Sequence, residues 1–68
     1  MPSATPTQRE ALEYVRGTDG EATIADFVAH WEPIGDRLWS ELVALELAEV
    51  DPVTGRIRLT AAGRAELD

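Results

Sequence analysis

The sequence predicts a small α+β domain in which helices come first, a two-stranded hairpin follows, and one more helix closes the chain. Three observations carry this. Ile34, Leu38, Leu42 and Leu45 recur at helical spacing, with Asp36, Arg37 and Ser40 on the opposite side. From Leu47 the period changes to two: Leu47, Glu49 and Asp51 alternate with Ala48 and Val50, and Arg56, Arg58 and Thr60 alternate with Ile57 and Leu59. Between these runs lies Asp51-Pro52-Val53-Thr54-Gly55, where proline fixes φ and lacks a donor while glycine tolerates positive φ, so a hairpin loop is expected.

Taken in order, Met1 to Ala4 holds nothing to bury, so residues 1–6 are expected as a disordered lead-in and residues 7–68 as one domain. A first helix begins near Thr7, with two overlapping starts: Thr5 as N-cap with Pro6 and Gln8, or Thr7 as N-cap with Glu10. Its inner face carries Ala11, Leu12 and Val15, flanked by Gln8 and Tyr14, and Gly17 is placed to end it in the left-handed conformation. Ala22-Thr23-Ile24 is long enough only for a one-bridge strand or a cap, and Thr23 with Asp26 resembles a capping box. A second helix runs from about Ile24 to Trp31, with Ile24, Phe27, Val28 and Trp31 on one face, and Glu32-Pro33 stops it. The gap before the third helix, Gly35 to about Leu45, is only a few residues long, the spacing of a helix-turn-helix. The hairpin takes Leu47 to Thr60. Thr60 then caps a short helix through Leu67, in which Gly63 costs about 1 kcal/mol relative to alanine.

The totals narrow the function classes. At 68 residues a single core is only marginally stable, so burial against a partner or a second copy is a reasonable expectation. Without cysteine there is neither a disulfide framework nor a thiolate metal site. No apolar run approaches the roughly 20 residues that cross a bilayer, so no membrane partner is expected and a cytoplasmic location is the default. Thirteen acidic against six basic residues give a formal charge of −7, and every basic residue is arginine. Such a composition fits a GC-rich genome or a halophile, and it argues against strong binding to a polyanion.

Two stretches resemble a known family. Leu42-Val43-Ala44-Leu45-Glu46-Leu47-Ala48-Glu49-Val50-Asp51 is similar to the passage L-x-x-x-G-L-x-x-x where winged helix-turn-helix proteins leave the recognition helix and enter the first wing strand. Leu59-Thr60-Ala61-Ala62-Gly63-Arg64 resembles the L-T-x-x-G-R that follows the wing in many MarR-like and related small regulators. The resemblance implies a winged helix: a three-helix helix-turn-helix core, a two-stranded β-hairpin wing and a short C-terminal helix. Glu46 departs from the pattern, because the family has glycine there and a left-handed glutamate is strained; the helix is expected to run on through Glu46 or to end in a looser turn.

The resemblance also implies a prokaryotic transcriptional regulator, or one of a virus or plasmid, that binds double-stranded DNA and forms a homodimer. Its third helix would enter the major groove and its wing would lie on the backbone. Carried over by position, the DNA-facing residues are Asp36, Arg37, Trp39, Ser40 and Val43 on the helix and Thr54, Arg56 and Arg58 on the wing, with Arg37, Ser40, Thr54, Arg56 and Arg58 as the binding candidates. Against this, Pro33 to Thr60 carries a net charge of −2, and Arg56 and Arg58 also read as the solvated face of a strand. The alternative is a winged-helix module that holds a protein through an apolar patch of Trp39 and Val43, although Trp39 also fits a core-edge position. A contiguous positive patch on this face would favour DNA, and an apolar patch rimmed with carboxylates would favour protein. Tyr14 fits either a core edge or a dimer contact. His30 is the only histidine and reads as a solvated helix residue, and carboxylate pairs such as Asp26 with Glu10 or Glu13 are expected from composition alone. With no nucleophilic set and no phosphate-binding loop, neither enzyme activity nor a cofactor is expected.

Overall fold

Among residues 4–68, which the computed structural model describes, threonines start three of the four helices. Helix α1 (Pro6–Gly17) begins at Thr5, whose Oγ1 accepts the Gln8 N–H at 3.1 Å while Gln8 Oε1 accepts the Thr5 N–H at 3.0 Å. Helix α2 (Ile24–His30) repeats the device with Thr23 and Asp26. Helix α4 (Ala61–Leu67) is capped by Thr60, whose Oγ1 accepts the Gly63 N–H at 3.0 Å. Each cap satisfies a donor that the helix cannot satisfy internally. Helix α3 (Gly35–Ala44) has no side-chain cap, and Asp36 lies in its first turn.

The disordered lead-in expected over residues 1–6 does not hold for residues 4–6. Ala4 is buried and its N–H donates to Glu66 Oε1 at 3.3 Å, Thr5 is the cap, and Pro6 is helical. Residues 1–3 lie outside the described residues. The Thr5 start thus prevails over the Thr7 start, because Gln8 reciprocates the bond. At the other end Gly17 does not take the left-handed position. Thr18 continues the turn, its Oγ1 donating to the Val15 carbonyl at 2.7 Å, and the reversal comes at Asp19 (φ 54°) and Gly20 (φ 79°).

Strands β1 (Ala48–Val50) and β2 (Ile57–Leu59) pair antiparallel, with Ala48 opposite Leu59, Glu49 opposite Arg58 and Val50 opposite Ile57. Thr23 bridges Arg56 on the far edge of β2, where the Ile57 N–H donates to the Ala22 carbonyl at 2.9 Å. The short Ala22–Ile24 segment therefore serves as both bridge and cap. Phe27, Leu12, Leu42, Ile57 and Val15 are fully buried at the centre, and Trp39 meets Phe27 edge-on at 5.4 Å. Tyr14 packs edge-on against Phe27 at 5.9 Å and stacks on His30 at 4.2 Å, which makes it a core-edge residue. Ile24 and Leu45 do not join the core face expected of them, and are 37% and 39% exposed. Ile24 is the first residue of a seven-residue helix and Leu45 is the cap residue beyond the last turn of α3, so each lies at an end of its helix, where the core covers it less.

The expectation at Glu46 is overturned: α3 ends tightly, with Glu46 itself left-handed (φ 59°). The Glu46 N–H donates to the Val43 carbonyl at 3.0 Å and the Leu47 N–H to the Leu42 carbonyl at 2.9 Å, the two bonds of a Schellman ending. Thr60 Oγ1 donates to the Glu46 carbonyl at 2.6 Å and fixes the turn from outside. Gly63, read from sequence as a weak point of its helix, is required by packing, because a Cβ there would run into the Leu47 carbonyl oxygen. Gly35 is alike: its Cβ would lie 2.5 Å from the Val28 carbonyl oxygen and 2.6 Å from the Val28 Cα, so glycine lets α3 cross α2 closely.

Three stability outcomes follow, all read from urea midpoints. Gly63→Ala is expected to destabilise by about 3 kcal/mol through overpacking against backbone, whereas Gly17→Ala, facing open space, should gain up to about 1 kcal/mol. Glu46→Gly should stabilise by about 1 kcal/mol, since it removes the left-handed penalty of a side chain; an unchanged or lowered midpoint would contradict the strained turn.

Candidate recognition face

The sequence places its candidates on the outer face of α3 and on the hairpin, and the structure does not bring the two sets together: Arg37 lies with Thr5 and Thr7 at the start of α1, whereas Arg58 lies with Val15, Arg16 and Asp19 at its other end, where Arg56 reaches Glu21. Arg37 and Ser40 are exposed on α3, and Thr54, Arg56 and Arg58 are exposed on the hairpin. Trp39 is not on this face: it is 8% exposed and packs on Phe27, so the apolar patch expected of Trp39 with Val43 reduces to Val43, which is 44% exposed. The cause is rotation, for Trp39 lies one helical step from Leu38 on the inward side.

Each of these three arginines meets a carboxylate of the chain. Arg37 Nε lies 4.0 Å from Glu41 Oε2, one helical turn on. Arg56 Nη1 reaches Glu21 Oε2 at 3.3 Å, tying the hairpin to the turn after α1. Arg58 is held twice, by Glu49 at 2.6 Å across the strand pair and by Asp51 at 3.2 Å. Glu41 in turn accepts the Gln8 side-chain N–H at 3.0 Å. These guanidinium groups present paired charge rather than a positive patch. Thr54 is also used internally, its Oγ1 accepting the Arg56 N–H at 3.2 Å.

The hairpin tip is organised by Asp51. Its Oδ1 accepts the Val53 N–H at 2.8 Å and the Thr54 N–H at 3.4 Å, and its carbonyl accepts the Gly55 N–H at 2.8 Å. The bond from Val53 is the main cause that holds the Asp51 carboxyl below its ordinary value; desolvation opposes it, and the Thr54 N–H and the Arg58 guanidinium add to it.

The end of α3 opens into a shallow groove of about 530 Å³. Val43, Leu45, Ala48, Ala61 and Ala62 make its apolar wall, and Glu46 and Glu49 stand at it. Sequence reasoning missed this groove, because it is built from the turn after α3 and from α4, which periodicity treats separately. The available signal was Glu46, a charged residue where the chain turn asks for glycine. Comparison of the chain with family models, with curated proteins and with solved structures gave no match.

The lowered carboxyl of Asp51 fixes a sign. A folded-state pKa below the unfolded one contributes stability at pH values above the ordinary carboxylate value, and that contribution disappears as pH falls through the folded value. In an acid titration followed by NMR, the Val53 and Thr54 amides should move together with the Asp51 carboxyl, with a midpoint below that of an ordinary aspartate. A midpoint at or above the ordinary value would contradict the tip geometry.

Proposed function

We propose that the chain is a winged-helix interaction module that holds a protein partner through the end of α3 and the neighbouring hairpin. The observation that carries this reading is the pairing of Arg37, Arg56 and Arg58 with Glu41, Glu21, Glu49 and Asp51. A phosphate backbone is bound by cations and donors, and its affinity comes largely from the counterions that cations displace. Here a duplex would approach arginines that arrive with their own carboxylates, on a segment whose net charge is already −2. The apolar groove with Glu46 and Glu49 beside it has the opposite character, and suits a protein surface. The order of three helices, hairpin and fourth helix, with a short connection between α2 and α3, supports the winged-helix arrangement; that arrangement alone does not choose a ligand.

One observation favours a second reading, a DNA-binding regulator. Arg37 and Ser40 stand exposed on the outer side of α3, with Arg56 and Arg58 on the hairpin, and exposed ion pairs are held by only about 0–1 kcal/mol, so phosphates compete for them. On this reading α3 enters the major groove and the hairpin touches the backbone.

A titration of the isotope-labelled chain with a random-sequence duplex at low salt separates the two. The protein reading expects no amide shifts across Asp36 to Val43 or Thr54 to Arg58, even at high duplex concentration. Shifts confined to those segments that fade as salt rises would overturn it in favour of DNA.

A further inference from the structure

Glu46 combines three features that local stability disfavours. Its backbone is left-handed, where glycine is the unstrained choice. It follows directly on the C-terminal end of α3, the negative pole of the helix, and the last turn of α3 contains no basic residue to offset that pole. Among the described residues no cation lies within ion-pair distance of its carboxylate, unlike Glu21, Glu41, Glu49 and Asp51. Strain of this kind is retained where the surroundings over-determine it, and it concentrates at sites of recognition. The carboxylate so retained stands at the apolar groove, beside exposed Val43 and Leu45.

We propose that this groove takes a basic amphipathic segment of a protein partner, an aliphatic side chain lying against Val43, Leu45 and Ala61 while a neighbouring lysine or arginine meets Glu46. The inference rests on the protein reading above and adds the partner's chemistry to it. Charge complementarity selects this occupant. Among the described residues the Glu46 carboxylate has no cation within ion-pair distance, so an incoming cation meets an unpaired charge at the groove. A second copy of this chain is a poor occupant, because it brings a charge of −7. An acidic segment would meet the unpaired Glu46, Glu49 being already paired with Arg58. Thr60 Oγ1, donating to the Glu46 carbonyl, and the Leu47 N–H, donating to the Leu42 carbonyl, hold the backbone of the turn before any partner arrives.

The probe is a synthetic helical peptide with leucines on one face and lysines on the other, titrated into the isotope-labelled full chain beside a counterpart carrying glutamates in place of lysines. The lysine peptide is expected to shift Val43, Leu45, Ala61 and Ala62, and the glutamate peptide to leave them unmoved. Glu46→Gln should weaken the lysine peptide by about threefold to fivefold, the scale of one exposed charge pair. Glu46→Gly should weaken it as much while making the chain more stable, which a merely structural role for Glu46 would not produce. The proposal is overturned by equal shifts from both peptides, by shifts spread over the remote carboxylates Glu10, Glu13 and Asp26, by silence at the groove, or by an unchanged affinity in Glu46→Gln. If Leu45→Asp abolishes binding that Glu46→Gln leaves intact, the cation contact fails while the protein reading stands. The protein reading itself falls only to the duplex titration.

Discussion

Leu47 is gripped by main chain from three directions, and the fold depends on that grip. Its N–H donates to the Leu42 carbonyl at 2.9 Å and closes α3; its carbonyl accepts the Thr60 N–H at 3.1 Å and joins the two arms of the hairpin at their base. The same carbonyl rests against Gly63, so α4 lies directly on the strand entry with no side chain between them. In so small a domain the core has few residues to fix the angle between helix and sheet. Here backbone contacts fix it, which explains how a left-handed glutamate is tolerated next to Leu47: the bonds on either side leave the turn no alternative conformation.

What could be read from the sequence divides by the range of the interaction. The threonine caps were legible because cap and partner lie three residues apart, and the hairpin was legible because its period-two pattern and its Pro-to-Gly loop are local. Gln8 and Trp39 were read as lying at the core's edge, and both are buried. Gly63 was misread for an equally physical reason: propensity counts a helical glycine as a loss, and only the tertiary crossing reveals that no larger residue fits. Glu46 was seen to be anomalous, but the rule against left-handed side chains pointed away from the conformation it takes. The pairing of Arg56 with Glu21 joins residues 35 apart in sequence, and no local pattern announces it. Of the candidate site, the positions on α3 and the hairpin lie on the expected exposed side, while the paired state of their charges and the adjacent groove required the fold.

The charge distribution follows a similar division. The arginines of α3 and the hairpin offset carboxylates that the chain itself brings near them, at separations where exposed pairs are individually weak. Their collective effect is to leave the face without a positive field. A net charge of −7 on so few residues therefore acts at long range, and it favours encounter with basic surfaces over acidic ones.

The Glu49–Arg58 pair also acts as an alignment mark for the sheet. Strands of three residues have few main-chain bonds with which to choose their pairing, and a slip by one residue reverses which side chains face inward. Such a slip would set Glu49 opposite Ile57 or Leu59 and take the Arg58 guanidinium away from both of its carboxylates. The same two residues place full charges on the uncovered side of a short sheet, where an apolar ladder would invite strands from other molecules. The ion pair thus adds to the inward-facing Ala48, Ile57 and Leu59 in making the correct hairpin distinguishable from its neighbours in register.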